Sequence, residues 1–118
     1  MPQNHILVAV VPCNDLDASQ AFYARLGFTE GERTYQEYRI LSNGKGGELH
    51  LSRAAEGWVV PGRNPFALYL FTENVDELAA ALGCQAEDKL WGMYEFGVSD
   101  PDEALVRIGW PTRLHKRR

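Results

Sequence analysis

A pattern that starts and ends a helix occurs twice in this sequence, half a chain length apart, and this repeat restricts the fold more than any other feature. Asn14-Asp15-Leu16-Asp17 lies 59 positions before Glu73-Asn74-Val75-Asp76 in a chain of 118 residues. Each copy begins with a good N-cap residue and ends with a Leu-Gly pair, Leu26-Gly27 or Leu82-Gly83, where glycine commonly terminates helices. Two such copies can bury their helix–sheet faces against each other. The sequence therefore predicts two related modules.

The first module is predicted to contain one strand, one helix and three more strands. A β-branched run at residues 5–11 predicts a strand that is buried on both faces and is broken by Pro12. Asp15 then caps a helix from Leu16 to about Leu26, whose apolar stripe must lie on a sheet. Three extended stretches follow, at residues 28–35, 37–41 and 48–52.

The second module repeats this order. Residues 66–72 predict a strand, and Asn74 with Glu77 gives a helix start that resembles a capping box. Three further extended stretches lie at residues 84–88, 90–98 and 104–109. The predicted class is α+β, with residues 1–118 in a single domain. Its parts are module one at about residues 5–53, a linker at about 54–65 and module two at about 66–110.

Apolar residues at helical spacing, and at alternate positions along the strands, are expected to form the core. The same alternation places Glu48 and His50 on the sheet face opposite Leu49 and Leu51. The predicted core consists of Phe22, Leu26, Leu49, Leu51, Leu68, Leu70, Leu78, Leu82, Val106 and Ile108.

Composition and charge exclude several classes of function. The net charge of −4 does not favour a nucleic-acid partner. The apolar run at residues 6–11 is too short for a membrane span, and we expect no secretory signal. Cys13 and Cys84 have neither the spacing of a pair nor metal-ligand neighbours, so two thiols in a reducing cytoplasm are expected.

Four short motifs resemble one known family. They are Asn14-Asp15-Leu16-Asp17, Glu48-Leu49-His50-Leu51, the run from Trp91 to Phe96, and the turn Asp100-Pro101-Asp102. Together they resemble the glyoxalase / bleomycin resistance protein / dioxygenase superfamily, also called vicinal oxygen chelate proteins, and its bleomycin-resistance-like branch most of all. Glu103 departs from the pattern, because the family turn usually continues with glycine.

The resemblance implies an architecture and an assembly. Two βαβββ modules are expected, each rolling a mixed sheet partly around a central cavity. A second subunit is expected to complete the opening of that cavity, which implies a homodimer. In the bleomycin-resistance branch, a tryptophan at the position of Trp91 lines the groove that holds the drug.

The resemblance also implies where a metal ion would bind in the glyoxalase members of the family. In this chain the four ligand positions hold Ala9, Glu48, Ala67 and Arg107. A methyl group or a guanidinium cannot replace an imidazole or carboxylate ligand. We therefore expect no metal and no other cofactor, and no chemistry that needs the ion as a Lewis acid.

The candidate ligand-binding residues lie on predicted cavity faces or in loops. For His50 and Glu48 two interpretations stay open: a satisfied polar pair, or a general base with an oriented partner. Trp58 is either simply exposed or a ligand contact, and Trp91 is either a stacking anchor or a core aromatic. Glu95 is expected to meet a cationic group. The full set is Glu48, His50, Trp58, Tyr69, Trp91, Met93, Glu95 and Arg107.

Two functions from different classes remain in view. The first is a metal-free protein that sequesters a small molecule, such as a bleomycin-type antibiotic, in the grooves of a dimer. The second is a metal-dependent lyase, isomerase or dioxygenase that uses Glu48 as one ligand. No catalytic residue is assigned, because sequestration needs none and none stands out.

Overall fold

A computed structural model describes residue 3 and residues 5–115 of the chain. The chain divides into two units, Met1–Val59 and Val60–Arg118, and each unit contains one four-stranded sheet. Both units contain the same succession of one strand, one helix and three strands, and the second unit ends with a short additional helix. The predicted α+β class and the internal repeat are therefore confirmed.

The elements of the first unit are β1 (Ala9–Cys13), α1 (Leu16–Ala24), β2 (Thr29–Glu30), β3 (Tyr38–Ser42) and β4 (Glu48–Arg53). The strand order in its sheet is β1-β4-β3-β2. The outer strand β1 pairs in parallel with β4, and the other neighbours pair antiparallel. Helix α1 packs on β2, β3 and β4.

Helix α1 begins where the sequence predicts. The Asp15 side chain accepts a hydrogen bond of 3.0 Å from the backbone N–H of Ala18, as an N-cap residue does. At the other end, Gly27 has a φ of +94°, in the left-handed region that glycine enters without a steric penalty. The chain then turns back into β2.

The first strand differs from its prediction. Residues 5–11 were expected to form a strand buried on both faces, but β1 begins at Ala9, and Ile6 and Leu7 are 73% and 97% exposed. β1 is an edge strand with β4 as its neighbour in the sheet. An edge strand tolerates the missing N–H of Pro12, so the strand runs through Pro12 to Cys13 instead of breaking there.

The elements of the second unit are β5 (Ala67–Phe71), α2 (Val75–Ala81), β6 (Glu87–Asp88), β7 (Met93–Ser99), β8 (Leu105–Pro111) and α3 (Thr112–His115). Its sheet repeats the topology, with the order β5-β8-β7-β6 and a parallel β5–β8 pair. Asn74 precedes α2 but makes no capping hydrogen bond through its side chain, so the expected capping box does not form. The short helix α3 was not predicted.

The turn between β7 and β8 is organised by a buried aspartate. The Oδ1 atom of Asp100 accepts hydrogen bonds of 2.9 Å from the backbone N–H groups of Asp102 and Ala104. Glu103, between these two donors, has a φ of +62°. A residue with a side chain is disfavoured in that region. This explains why the turn usually has glycine at this position in the family that the sequence resembles.

The core agrees with about half of the predicted set. Leu26, Leu49, Leu51, Val106 and Ile108 are buried, while the other five residues are partly exposed. On α1 the buried position belongs to Tyr23 rather than Phe22, because Leu16, Ser19, Tyr23 and Leu26 follow the helical period.

Within the described residues, no helix is long and apolar enough to cross a membrane.

Truncation of Leu51 to alanine should lower the free energy of unfolding by about 2–5 kcal/mol, because its side chain is fully buried. Leu90 is fully exposed, so Leu90→Ala should change that free energy by less than about 0.5 kcal/mol. Urea unfolding of the three proteins measures both values. A loss at Leu51 no larger than the loss at Leu90 would contradict the assignment of sheet faces.

Candidate functional site

One face of the second sheet carries most of the predicted site residues of its unit. Tyr69 on β5 pairs with Arg107 on β8, and Glu95 on β7 pairs with Gly109 on β8. Paired residues point to the same side of a sheet. On the opposite side, Tyr94 makes a hydrogen bond to Asp76 of α2. The face with Tyr69 and Glu95 is therefore the one turned away from the helix.

The carboxylate of Glu95 is buried on this face and accepts two hydrogen bonds. Its exposed fraction is 3%, and its Oε1 atom accepts from the hydroxyl of Tyr69 at 2.8 Å and from Nε1 of Trp91 at 3.1 Å. A charge can be buried when hydrogen-bond donors replace its water. The carboxylate therefore holds two aromatic side chains from two different segments in fixed positions.

Tyr69 remains a hydrogen-bond donor. Burial raises the pKa of its phenol well above the ordinary value, and the hydrogen bond to Glu95 and the negative charge of that carboxylate raise it further. The positive charge of Arg107 acts in the opposite direction. Because the phenol keeps its proton, the bond to Glu95 persists throughout the neutral pH range.

The approach of Tyr69 to Glu95 depends on a glycine between them. A Cβ atom at Gly109 would lie 2.7 Å from Cβ of Glu95 and 3.0 Å from the backbone oxygen of Tyr94. It would also collide with the hydroxyl of Tyr69. Gly109 is thus required for close approach rather than for a special backbone angle.

Two aromatic rings at this face are open to solvent. Trp91 and Phe71 are each 61% exposed, and the Phe71 ring lies 4.5 Å from that of Tyr69 between centroids. Trp91 was expected at the start of a strand but lies in the turn before β7, where Gly92 has a φ of +86°. Met93, paired with Pro111, is partly exposed on the same face as Glu95.

Glu95 lies on the same sheet face as Met93, as alternation along the strand predicted. Its expected direct contact with a cationic group of a ligand stays a prediction. The structure buries the side chain and directs its Oε1 atom at Tyr69 and Trp91. The alternation of residues along the strand placed Glu95 beside Trp91 but could not show that Tyr69, from another strand, covers it.

A second polar cluster lies on the first sheet. The Nε2 atom of His50 is 2.9 Å from Oε2 of Glu48, and its Nδ1 atom is 2.7 Å from the hydroxyl of Tyr38. His50 pairs with Ile40, two residues along β3 from Tyr38, so the histidine and tyrosine are diagonal neighbours across the strand pair. Tyr38 was not among the predicted site residues. The expected hairpin of β3 and β4 was the signal that could have identified it.

The remaining predicted residues are separated from these clusters or lie at their edge. Trp58 is in a turn and 84% exposed. Arg107 is exposed on the face that carries Tyr69.

The first unit also contains a cleft of about 390 Å³ at the start of α1, where Arg39 forms a 3.0 Å ion pair with Asp17. That cleft does not include Glu48, His50 or Tyr38.

The metal positions that the family resemblance indicated do not carry a ligand set. In the first unit, Ala9 pairs with Leu49 on the helix side of the sheet, whereas its neighbour Val10 pairs with His50 on the face that carries Glu48. In the second unit the corresponding positions are Ala67 and Arg107. Valine, alanine and arginine do not bind a divalent cation. Among the residues described, no three His, Cys, Asp or Glu side chains form a metal-binding group.

The chain is similar to known proteins over nearly its whole length. The family model of the Glyoxalase/Bleomycin resistance protein/Dioxygenase superfamily matches residues 3–108. A comparison with curated proteins found no match. Among solved structures, a bleomycin-binding protein complexed with bleomycin has a TM-score of 0.77 at 21% identity, over 91% of this chain and 98% of its own.

Two further structures show that the fold is shared by proteins with different names. A bleomycin resistance determinant encoded on the transposon Tn5 has a TM-score of 0.75 at 23% identity, over 92% of this chain and 98% of its own. A lactoylglutathione lyase from Agrobacterium tumefaciens has a TM-score of 0.67 at 19% identity, over 96% of this chain and 98% of its own. At these identities the likeness shows the fold alone.

Replacement of Gly109 by alanine should separate Tyr69 from Glu95 and lower the free energy of unfolding by about 1–3 kcal/mol, because the new methyl group has no space. Gly97 on the same face is the matched control, because a Cβ there would meet Leu105 at an ordinary 3.4 Å. Chemical denaturation of Gly109→Ala and Gly97→Ala gives the comparison. Equal effects at the two positions would contradict the role of Gly109.

Proposed function

Because the chain belongs to the glyoxalase/bleomycin resistance protein/dioxygenase superfamily, we propose that it is a metal-free binding protein of the bleomycin-resistance type. Its proposed activity is sequestration of a small aromatic molecule, and a bleomycin-type antibiotic is the first candidate. The activity requires no bond to be made or broken, so it needs no catalytic residue. We also propose a cytoplasmic location, because Cys13 and Cys84 do not have the spacing of a disulfide pair and two thiols suit a reducing compartment.

The observation that carries this proposal is an exposed indole held by a buried carboxylate. Glu95 fixes Nε1 of Trp91, while the rest of the Trp91 side chain is largely exposed. A ring that is already fixed loses little conformational freedom when a flat ligand stacks on it. Phe71, whose ring contacts Tyr69, adds a second exposed aromatic surface on the same sheet face.

The charge distribution supports a polar or cationic ligand. The chain has a net charge of −4, which attracts cations from solution. At the face itself the buried negative charge of Glu95 lies near the exposed Arg107, so the two partly compensate. Glu48 on the first sheet is more accessible than Glu95 and is the better direct partner for a cation.

A metal-dependent enzyme is the weaker interpretation. A lyase or dioxygenase of this superfamily would need several protein ligands for its ion. The positions in question hold Ala9 and Glu48 in the first unit and Ala67 and Arg107 in the second, and Val10, on the face of Glu48, is not a metal ligand either. The donor set of this chain therefore does not fit such chemistry.

We also propose that the functional form is a homodimer, with two-fold symmetry as is usual for small soluble oligomers. The exposed apolar residues Ile6 and Leu7 before β1 form the surface that would gain most from a partner. Light scattering at micromolar concentration should give twice the mass of the 13.3 kDa chain. The mass of a single chain across that range would contradict the dimer.

Removal of the Trp91 ring should weaken binding of bleomycin by about 1–3 kcal/mol, the range for an aromatic anchor. The dissociation constants of the wild type and of Trp91→Ala are measured by isothermal titration calorimetry. Leu90→Ala, the neighbouring exposed residue, is the matched control and should bind as the wild type does. An unchanged constant for Trp91→Ala with an unchanged melting temperature would exclude Trp91 as an anchor.

Variants of Glu95 separate the two roles of its carboxylate within the same experiment. Glu95→Gln keeps an oxygen that can accept from Trp91 and Tyr69, whereas Glu95→Leu removes every acceptor. If Glu95 acts by holding Trp91, the glutamine variant should bind bleomycin nearly as well as the wild type, and the leucine variant should resemble Trp91→Ala. Equal losses in the two variants would instead indicate that the negative charge attracts the ligand directly.

A further inference from the structure

We propose that Arg107 is a specificity-determining residue on the face of the second sheet that is turned away from the helix. Its guanidinium binds a carboxylate of the ligand, so the class of ligand is an aromatic carboxylate. The inference rests on the proposed function for the stacking of an aromatic ring, and it adds the group that orients that ring.

Arg107 lies in the middle of this face. Its strand β8 is an inner strand between β5 and β7, and Arg107 pairs with Tyr69 on β5 and with Gly97 on β7. The guanidinium is close enough to the phenol of Tyr69 to interact with it electrostatically. The family resemblance placed a metal ligand at this position, and the chain carries a positive charge of its own there instead.

The guanidinium has no acidic partner among the residues that the structure describes. Arg39 and Arg53, which also lie on strands, form ion pairs with Asp17 at 3.0 Å and with Glu37 at 3.7 Å. Arg107 is exposed, and within the described part of the chain it forms no ion pair and donates no side-chain hydrogen bond. Its N–H groups therefore remain available to a ligand.

The neighbouring strand leaves space beside Arg107. Its partner Gly97 has no side chain, and a Cβ atom there would meet Leu105 at 3.4 Å and the backbone oxygen of Val106 at 3.9 Å. Neither of these contacts involves the guanidinium, so the side chain of Arg107 does not cover Gly97. A small group of a ligand has access to the guanidinium from this side.

Aromatic surface for the ring of the ligand lies along the same strands. Arg107 and Tyr69 form one row across the sheet, and Phe71 and Gly109 form the next row on this face, about 7 Å further along the strands. Phe71 and Trp91 are each 61% exposed, and the Phe71 ring lies 4.5 Å from that of Tyr69 between centroids. A flat ring that stacks on these side chains can therefore place a substituent at Arg107.

A carboxylate on the ring fits this arrangement better than other charged groups. It lies in the plane of the ring and can accept two parallel hydrogen bonds from a guanidinium. A cationic group at this position would be repelled by Arg107, and a group with two negative charges is opposed by the net charge of −4. Glu95 opposes a single negative charge less, because it is buried and its Oε1 atom accepts two hydrogen bonds.

The pair 2-naphthoate and 2-naphthamide tests the proposal, because the two probes share a ring and differ in charge. Isothermal titration calorimetry should give the wild type a dissociation constant for naphthoate at least about tenfold lower than for naphthamide. Arg107→Gln should remove this difference, and Arg107→Lys, which keeps the charge but not the two parallel hydrogen bonds, should retain part of it. Arg63→Gln, at an exposed arginine in a loop of the same unit, is the matched control and should bind as the wild type does.

Two variants of Gly97 test the same contact while Arg107 stays in place. Gly97→Glu puts a carboxylate beside Arg107 that competes with the ligand, whereas Gly97→Gln adds a side chain of the same size without the charge. Naphthoate should bind the glutamate variant about tenfold more weakly than the glutamine variant, and naphthamide should bind the two equally. The melting temperatures of all variants report whether the fold is retained.

Equal affinities of the wild type for the two probes would overturn the proposal, and so would a wild type that binds neither probe. Naphthoate binding that is unchanged in Arg107→Gln, at an unchanged melting temperature, would also overturn it. A separate titration with bleomycin tests the proposed function. A wild type that binds naphthoate through Arg107 but not bleomycin would refute the antibiotic as ligand and support the role of Arg107, and the opposite result would refute that role alone.

Discussion

The parallel pairing of the first and last strands in each unit determines how the other elements are arranged. β1 lies beside β4, and β5 lies beside β8. Parallel neighbours cannot be joined by a tight turn, so the chain must cross over between them. The helix in each crossover packs on one face of its sheet. The other face carries the aromatic and polar side chains from which both candidate sites are built.

The two units use the same strand and the same sheet face for different chemistry. Tyr38 on β3 and Glu95 on β7 each lie on the third strand of their unit, on the face turned away from the helix. The hydroxyl of Tyr38 makes a hydrogen bond with His50, whereas Glu95 is a buried carboxylate that orients an indole. The two units therefore share a framework but carry different side chains on it.

The fold occurs both in proteins named as bleomycin binders and in a protein named as a lyase. Function therefore depends on individual side chains and not on the fold. In this chain, the side chains that would distinguish an enzyme are the metal ligands, and of the four positions concerned only Glu48 could bind an ion. The side chains that would distinguish a binder are exposed aromatics in fixed positions, and Trp91 is one. This contrast is the basis on which we propose a binding protein.

The sequence by itself determined the features that depend on neighbouring residues. The repeat, the order of elements, the cap at Asp15 and the left-handed Gly27 and Gly83 were all predictable, because helix termini depend on local chemistry. Alternation along β4 also placed Leu49 and Leu51 opposite His50 correctly.

Only the tertiary structure decided the features that depend on pairing between strands. The burial of Glu95 requires Tyr69 from β5 and the small Gly109 on β8, and the contact between Tyr38 and His50 requires the register of β3. The sheet face of Ala9 is set in the same way, because β1 meets β4 only through a parallel pair distant in sequence. A shift of one residue in register exchanges the two faces of a strand, and no local pattern in the sequence specifies that register.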